Sequence, residues 1–292
     1  MSKPSEDVGA IEQLLATAQY AKAVEMCEAL QLQEDLPRKF WFRKAKALEG
    51  LGETRRAIQC YRCEIATLKR VPPFLLGYVG SLLLKVGQYH DAAACLRKSC
   101  ELEPSAGLFV FLSSALLHLG RDDESRAALR HALDVDPSHD EAWHNLGGRL
   151  LRECPEEAEA AFRRALELDP DRADSYGGLG QACLDQGRTE EGLQAAEEGL
   201  RRNSLSGLCH FVVGQGLETM GCLDAAQAAF AKAFRCDDYD KVAALLALAG
   251  ILERQGQPEA AIAWYERGIR AWPDDDRIES ELAALKERRG DD

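Results

Sequence analysis

The chain has 292 residues, a net charge of −13 and an isoelectric point near 5.1, with 46% hydrophobic and 29% charged residues. That composition supplies both a core and a solvated surface, and its acidity weighs against a broad nucleic-acid-binding face. No apolar run reaches the roughly 18 residues needed to cross a bilayer. The opening stretch MSKPSEDVGAIEQ lacks the charged-then-apolar layout of a secretion signal. A cytoplasmic protein without a membrane span is the expectation.

Ten cysteines are scattered along the chain and do not cluster as a disulfide framework. Cys60 and Cys63 form a C-x-x-C, but a structural zinc needs four ligands and no second pair lies nearby. No metal and no cofactor is expected.

In chain order, residues 6–36 contain LLATAQYAKAVEMCEAL, an amphipathic helix with Ala23 and Cys27 at small packing positions. The segment before it is poorly marked. From 38 to 273 the chain repeats. Large residues open a first helix at Trp41, Leu76, Phe109, Trp143, Tyr176, His210 and Leu245. Four residues on stands a small one: Ala45, Gly80, Ser113, Gly147, Gly180, Gly214 and Ala249. Glycine follows at Gly52, Gly87, Gly120, Gly187, Gly221 and Gly256, where a left-handed step would stop the helix. A second helix then carries a small residue (Ala57, Ala92, Ser125, Ala158, Gly192, Ala226, Ala261). In most copies a large one comes four later: Tyr61, Leu96, Leu129, Phe162, Phe230 and Tyr265. Units often close on proline, which cannot continue a helix. The fifth unit differs, with Cys154-Pro155 in place of the glycine and one residue fewer in the turn. Proline fixes its own φ and disfavours helix before it, so a tight turn is predicted there. It is either a bend between two halves or a neutral variation. Finally, DDDRIESELAALKERRG reads as one charged amphipathic helix.

This period and these residue types resemble tetratricopeptide repeats, over nearly the whole chain. The resemblance implies an all-α fold, a right-handed α-solenoid (superhelix) of stacked antiparallel helix pairs. One such array would span 1–292, with a degenerate first repeat at 6–36, seven units at 38–273 and a capping helix at 276–289. A helical hairpin cannot bury both its faces alone, so hairpins stack on their neighbours.

GGLGQ at 177–181 and GQG at 214–216 superficially suggest phosphate loops. Both fall inside first helices with no preceding strand, where the repeat demands small residues. Carboxylates such as Glu156, Glu157, Glu190 and Glu191 begin second helices, where they complement the helix dipole. No catalytic constellation emerges, so a binding module is expected and an enzyme is not.

The resemblance also implies that first helices line a concave groove at unit positions 2, 5, 6, 9, 12 and 13. Mapped onto this chain, groove candidates are Lys39, Phe42, Arg43 and Lys46 in the second unit, Phe74 and Tyr78 in the third, and Val110, Phe111 and His118 in the fourth. His144 and Asn145 follow in the fifth, Gln181 in the sixth, and Phe211 and Gln215 in the seventh. The stretch from Arg38 to Val71 holds ten Lys/Arg against three Glu in an otherwise acidic chain. Lys39, Arg43 and Lys46 stand at i, i+4 and i+7, the spacing of one helix face. Lys39 and Arg43 match the basic positions with which chaperone-binding relatives hold a carboxylate. The rest of that clamp is missing: Ser81, Ser114 and Gly148 occupy the supporting positions. An anchor for an acidic group and a merely solvated basic face both remain open. Phe74, Tyr78, Val110 and Phe111 either form an apolar groove floor or pack against the adjacent unit. The expected partner is a protein or peptide with an acidic end and an apolar face. The alternatives are a structural subunit of an assembly or a self-associating homo-oligomer, with RNA the weakest candidate.

Overall fold

The computed structural model describes residues 4–32, 36–237 and 239–289. Residues 33–35, within the span expected for the first repeat, lie outside the described residues. Among the described residues there are seventeen α-helices and no strand. They fall into two compact units divided between Pro137 and Ser138, not at the Cys154-Pro155 turn.

The first unit holds α1 (Pro4–Ala16), α2 (Tyr20–Leu30), α3 (Phe40–Gly50), α4 (Thr54–Thr67), α5 (Pro73–Lys85), α6 (Tyr89–Leu102), α7 (Ala106–His118) and α8 (Asp122–Val135). The second holds α9 (Asp140–Leu150), α10 (Pro155–Leu168), α11 (Ala173–Asp185), α12 (Thr189–Arg202), α13 (Gly207–Thr219), α14 (Leu223–Arg235), α15 (Lys241–Arg254), α16 (Pro258–Ala271) and α17 (Asp276–Arg289). Within each unit every helix packs on its chain neighbour, and successive first helices such as α5 and α7, or α11 and α13, also touch. Each unit is a solenoid of stacked helix pairs.

The turns explain the hairpins. Gly52, Gly87, Gly120, Gly187, Gly221 and Gly256 all have φ between 68° and 77°, a region closed to most side chains. The amide after each glycine reaches back to a carbonyl five residues earlier, as from Gln88 to Leu83 at 2.9 Å and from Arg188 to Cys183 at 2.9 Å. This double-back satisfies carbonyls the helix end would leave bare. The fifth hairpin closes otherwise. Leu151 keeps helical angles (φ −46°, ψ −45°), the Cys154 amide donates to the Leu150 carbonyl at 2.8 Å, and Pro155 opens α10. Proline at the first helical position loses nothing, because its amide would have had no partner there.

Packing follows the large-on-small pattern. A Cβ on Gly80 would stand 2.6 Å from Leu96 Cγ, and one on Gly214 would stand 2.6 Å from Phe230 Cδ1. The glycines let α5 and α13 approach second-helix side chains that are themselves fully buried. In the sixth hairpin both helices carry glycine, and a Cβ on Gly180 would stand 2.8 Å from the Gly192 carbonyl. α17 buries Ile278, Leu282 and Leu285 in a cluster with α15 and α16. Its other face is charged, with ion pairs Arg288–Glu253 and Arg289–Glu259.

Candidate functional site

The basic face expected on α3 is rearranged. Pro37 and the turn after it start α3 only at Phe40, and Lys39 precedes it in a left-handed conformation with φ 57°. Lys39 therefore does not share a helical face with Arg43 and Lys46. It is exposed, and has no ion pair among the described residues. Arg43 is engaged by α1: its Nε and Nη2 lie 3.0 and 2.5 Å from Glu12 Oε1, while Nη1 donates to the Arg38 carbonyl at 2.6 Å. The buried Lys44 donates to Gln31 Oε1 at 2.6 Å.

Lys46 belongs to a polar cluster between α3, α4 and α5. Its Nζ donates to Tyr78 Oη at 2.9 Å, lies 3.1 Å from Glu49 Oε2, and stands 4.3 Å from the centre of the Tyr78 ring. Tyr78 in turn donates to Glu49 Oε1, and the buried Tyr61 donates to Glu49 Oε2 at 2.7 Å. Burial opposes the charge on Lys46, but its bonds to Tyr78 and Glu49 outweigh that and raise its pKa. Burial, with the Glu49 carboxylate second, raises the pKa of Tyr61. Glu12 and Glu49 thus already occupy the two cations best placed for an incoming carboxylate.

The aromatic candidates divide by position in the unit. Val110 is 2% exposed, so it is no part of a solvent-facing floor. Phe42 is half-buried with its ring edge-on to Tyr61 at 5.6 Å. Phe211 is half-buried between Phe230 and Tyr239, at 5.3 and 4.9 Å between ring centres. His144 is covered from the next first helix, its Nδ1 2.9 Å from Ser175 Oγ and its ring edge-on to Phe162. Burial, and then the Arg172 charge, lower its pKa below the usual histidine value. Unit position 5 is therefore a packing position. Phe74 on α5 and Phe111 on α7 are different, at 64% and 42% exposed. His118 is exposed but stacks on Tyr89 at 4.2 Å. Asn145, Gln181 and Gln215 are half-buried, and Gln181 donates to Asp185 at 2.9 Å.

Two clefts lie where a second helix ends and the next first helix begins. One, of about 730 Å³, is bounded by Leu200, Leu205, His210, Lys232 and Arg235 in the second unit. The other, of about 650 Å³, lies between the start of α3, the end of α4 and the start of α5. Trp41, Phe42, Leu68 and Phe74 wall it, with Arg38, Lys39 and Lys69 also in its lining. The buried Glu64 lies on the same cleft and accepts the Phe42 amide at 3.2 Å. It caps α3 from the neighbouring helix, a role no side chain of the α3 N-cap fills.

Sequence reasoning missed Glu12, Glu49, Glu64, Trp41 and Lys69. A signal for Glu49 existed. Position 24 of the unit is tyrosine only at Tyr61 and Tyr265, and in both units position 12 is glutamate, Glu49 and Glu253. The Tyr265 hydroxyl donates to Glu253 at 2.8 Å, repeating the Tyr61–Glu49 bond.

Repetition of this hairpin extends to the family level. The tetratricopeptide repeat model matches residues 80–140, 151–206 and 214–276, more than half of the chain. The chain is a tetratricopeptide repeat protein. Among solved structures, a tetratricopeptide repeat protein from Parabacteroides merdae aligns over 85% of this chain and 98% of its own, with 15% identity and a TM-score of 0.74. TTC0263, a thermophilic TPR protein of Thermus thermophilus, aligns over 62% and 98%, with 21% identity and a TM-score of 0.57. Pseudomonas aeruginosa pilF aligns over 73% and 97%, with 19% identity and a TM-score of 0.57. At such identities the likeness is one of fold. A search of the curated proteins gives no match. Tetratricopeptide repeats generally serve protein–protein interaction or assembly. Among the described residues, no helix is long and apolar enough to cross a membrane.

Proposed function

We propose that this tetratricopeptide repeat protein is an interaction scaffold whose first helices in the 1–137 unit bind a peptide or amphipathic helix of a protein partner. The supporting observation is the pair Phe74 and Phe111. Most large apolar side chains of α5 and α7 are buried, whereas these two rings on touching first helices face solvent. Exposed aromatic side chains on a rigid helical surface are characteristic interaction anchors. A preformed helical surface also binds without the ordering that a flexible loop would require.

The test is selection of phage-displayed random dodecapeptides on the immobilised full chain, followed by photo-crosslinking of the selected peptides. Crosslinks should concentrate on α3, α5 and α7, and Phe111→Ala should weaken binding without changing helicity. A library that yields no binder, or crosslinks confined to α4, α6 and α8, refutes the reading.

A further inference from the structure

We infer that the cleft between α3, α4 and α5 is a specificity pocket, taking one bulky apolar side chain of a partner peptide whose flanking residues are acidic. This deepens the proposed scaffold role and rests on it. The argument starts from the lining. Trp41, Phe42, Leu68 and Phe74 supply apolar walls from three different helices or their ends, around a volume of about 650 Å³. That lies within the range of pockets that enclose a compact ligand group. Phe74 stands at the mouth with most of its ring exposed. A ring so placed gains contact area only when something apolar covers it.

Charge then selects the occupant. Arg38, Lys39 and Lys69 line the cleft, Arg70 follows Lys69 in the chain, and all four are exposed. None has an ion pair among the described residues, whereas Arg43 and Lys46 on α3 are matched by Glu12 and Glu49. Among the described residues this is an unmatched positive rim, on a chain whose net charge is −13. Among the described residues the one carboxylate in the lining, Glu64, faces the α3 amides and already accepts the Phe42 N–H. Its charge is thus directed at a helix N-terminus, where it is favourable, instead of at the rim. A basic peptide would meet three cations at the mouth; an acidic one would be steered toward it. The left-handed turn at Lys39 matters here, because it takes that lysine off the α3 face and puts it at the cleft.

The probe is a fluorescein-labelled decapeptide, Gly-Ser-Asp-Glu-Leu-Trp-Glu-Asp-Ser-Gly, titrated into the full chain by fluorescence polarisation. One analogue carries Asn and Gln for the acids, and another carries Ser-Ser for Leu-Trp. The acidic apolar peptide should bind, weakening as salt rises, and each analogue should bind at least about tenfold more weakly. Phe74→Ala should weaken binding about 30-fold, as for truncation of an interface anchor. The triple change Arg38→Gln, Lys39→Gln and Lys69→Gln should weaken it about tenfold, the sum of three exposed pairs. Lys98→Gln, on α6 away from the cleft, should leave it unchanged. All these positions are exposed, and helicity confirms that each variant folds.

Equal binding of the neutral analogue, or indifference to Phe74→Ala and the triple change, overturns the pocket. If selected dodecapeptides still crosslink to α3, α5 and α7, the scaffold reading survives that failure. If no peptide binds anywhere on the chain, both fall. If the decapeptide fails and sedimentation shows a dimer that Phe74→Ala dissociates, the cleft belongs to a second copy and the inference is wrong.

Discussion

Replacing Gly178 with alanine opposes two effects that the structure allows to be ranked. Gly178 lies within α11, and alanine is favoured over glycine in a helix by about 0.8–1.0 kcal/mol. By that term alone the substitution stabilises. A Cβ at Gly178, however, would stand 2.3, 2.4 and 2.8 Å from three ring carbons of Phe162. Ordinary contact begins near 3.5 Å. The ring cannot simply retreat, because its opposite neighbour is Gly147, where a Cβ would already be 2.9 Å from the same ring. Phe162 is fully buried on α10, wedged between two first helices that both offer it bare backbone. Overpacking of this kind costs about 1–3 kcal/mol, and the pinned ring places it near the upper end. The net prediction is a loss of about 2 kcal/mol. Gly250 provides the control, since it is helical and a Cβ there meets nothing within 4 Å. Gly250→Ala should therefore gain about 1 kcal/mol. Urea unfolding followed by circular dichroism reads both, with amide exchange of α9–α11 locating the effect, since repeat arrays need not unfold as one step. A second-site change, Phe162→Leu, should relieve part of the Gly178→Ala loss. If Gly178→Ala raises the midpoint as Gly250→Ala does, the account of first-helix glycines as seats for second-helix rings is wrong.

Other expectations follow from the polar clusters. Glu49→Ala leaves the buried Tyr61 hydroxyl without its acceptor, and should destabilise the first unit by about 1–3 kcal/mol in urea unfolding. Tyr61→Phe with Glu49→Ala should lose less than the two single changes added together, because the orphaned group is gone. His144 has a folded pKa below its ordinary value of 6.5, so the fold favours its neutral form. Its contribution is full above that value and is lost as pH falls below it, levelling off beneath the folded pKa. His144→Gln should flatten that part of a stability-versus-pH curve, and an unchanged slope would refute the assignment. Thiol labelling at mildly alkaline pH should show Cys63 and Cys222, both exposed, reacting first. Burial pushes Cys27 and Cys100 up to about 11. Each two-unit rise removes about a hundredfold of thiolate, so those two should lag by at least that factor.

What could be read from residue order alone was whatever depends on local spacing. A left-handed glycine readily stops a helix, and six glycines at equivalent places have that conformation. Helix pairs need large residues over small ones, so Phe230 and Leu96 could be matched to Gly214 and Gly80 without coordinates. The family followed from those two regularities. The candidate site was only partly legible, because a register says which side chains leave a helix together, not what meets them. Position 5 looked like groove lining, yet Val110 is buried and His144 is held against Ser175 of the next first helix. Arg43 and Lys46 looked like available cations, yet Glu12, 31 residues away, and Glu49, tied to Tyr61 and Tyr78, already answer them. The cleft is wholly tertiary. It arises where Lys39 turns off the helix, Glu64 reaches across from α4, and Phe74 is left bare at the start of α5. Local spacing acts within a few residues and repeats, so it is visible in a chain. Charge neutralisation and concavity depend on which residues meet across some thirty positions, and only packing decides that.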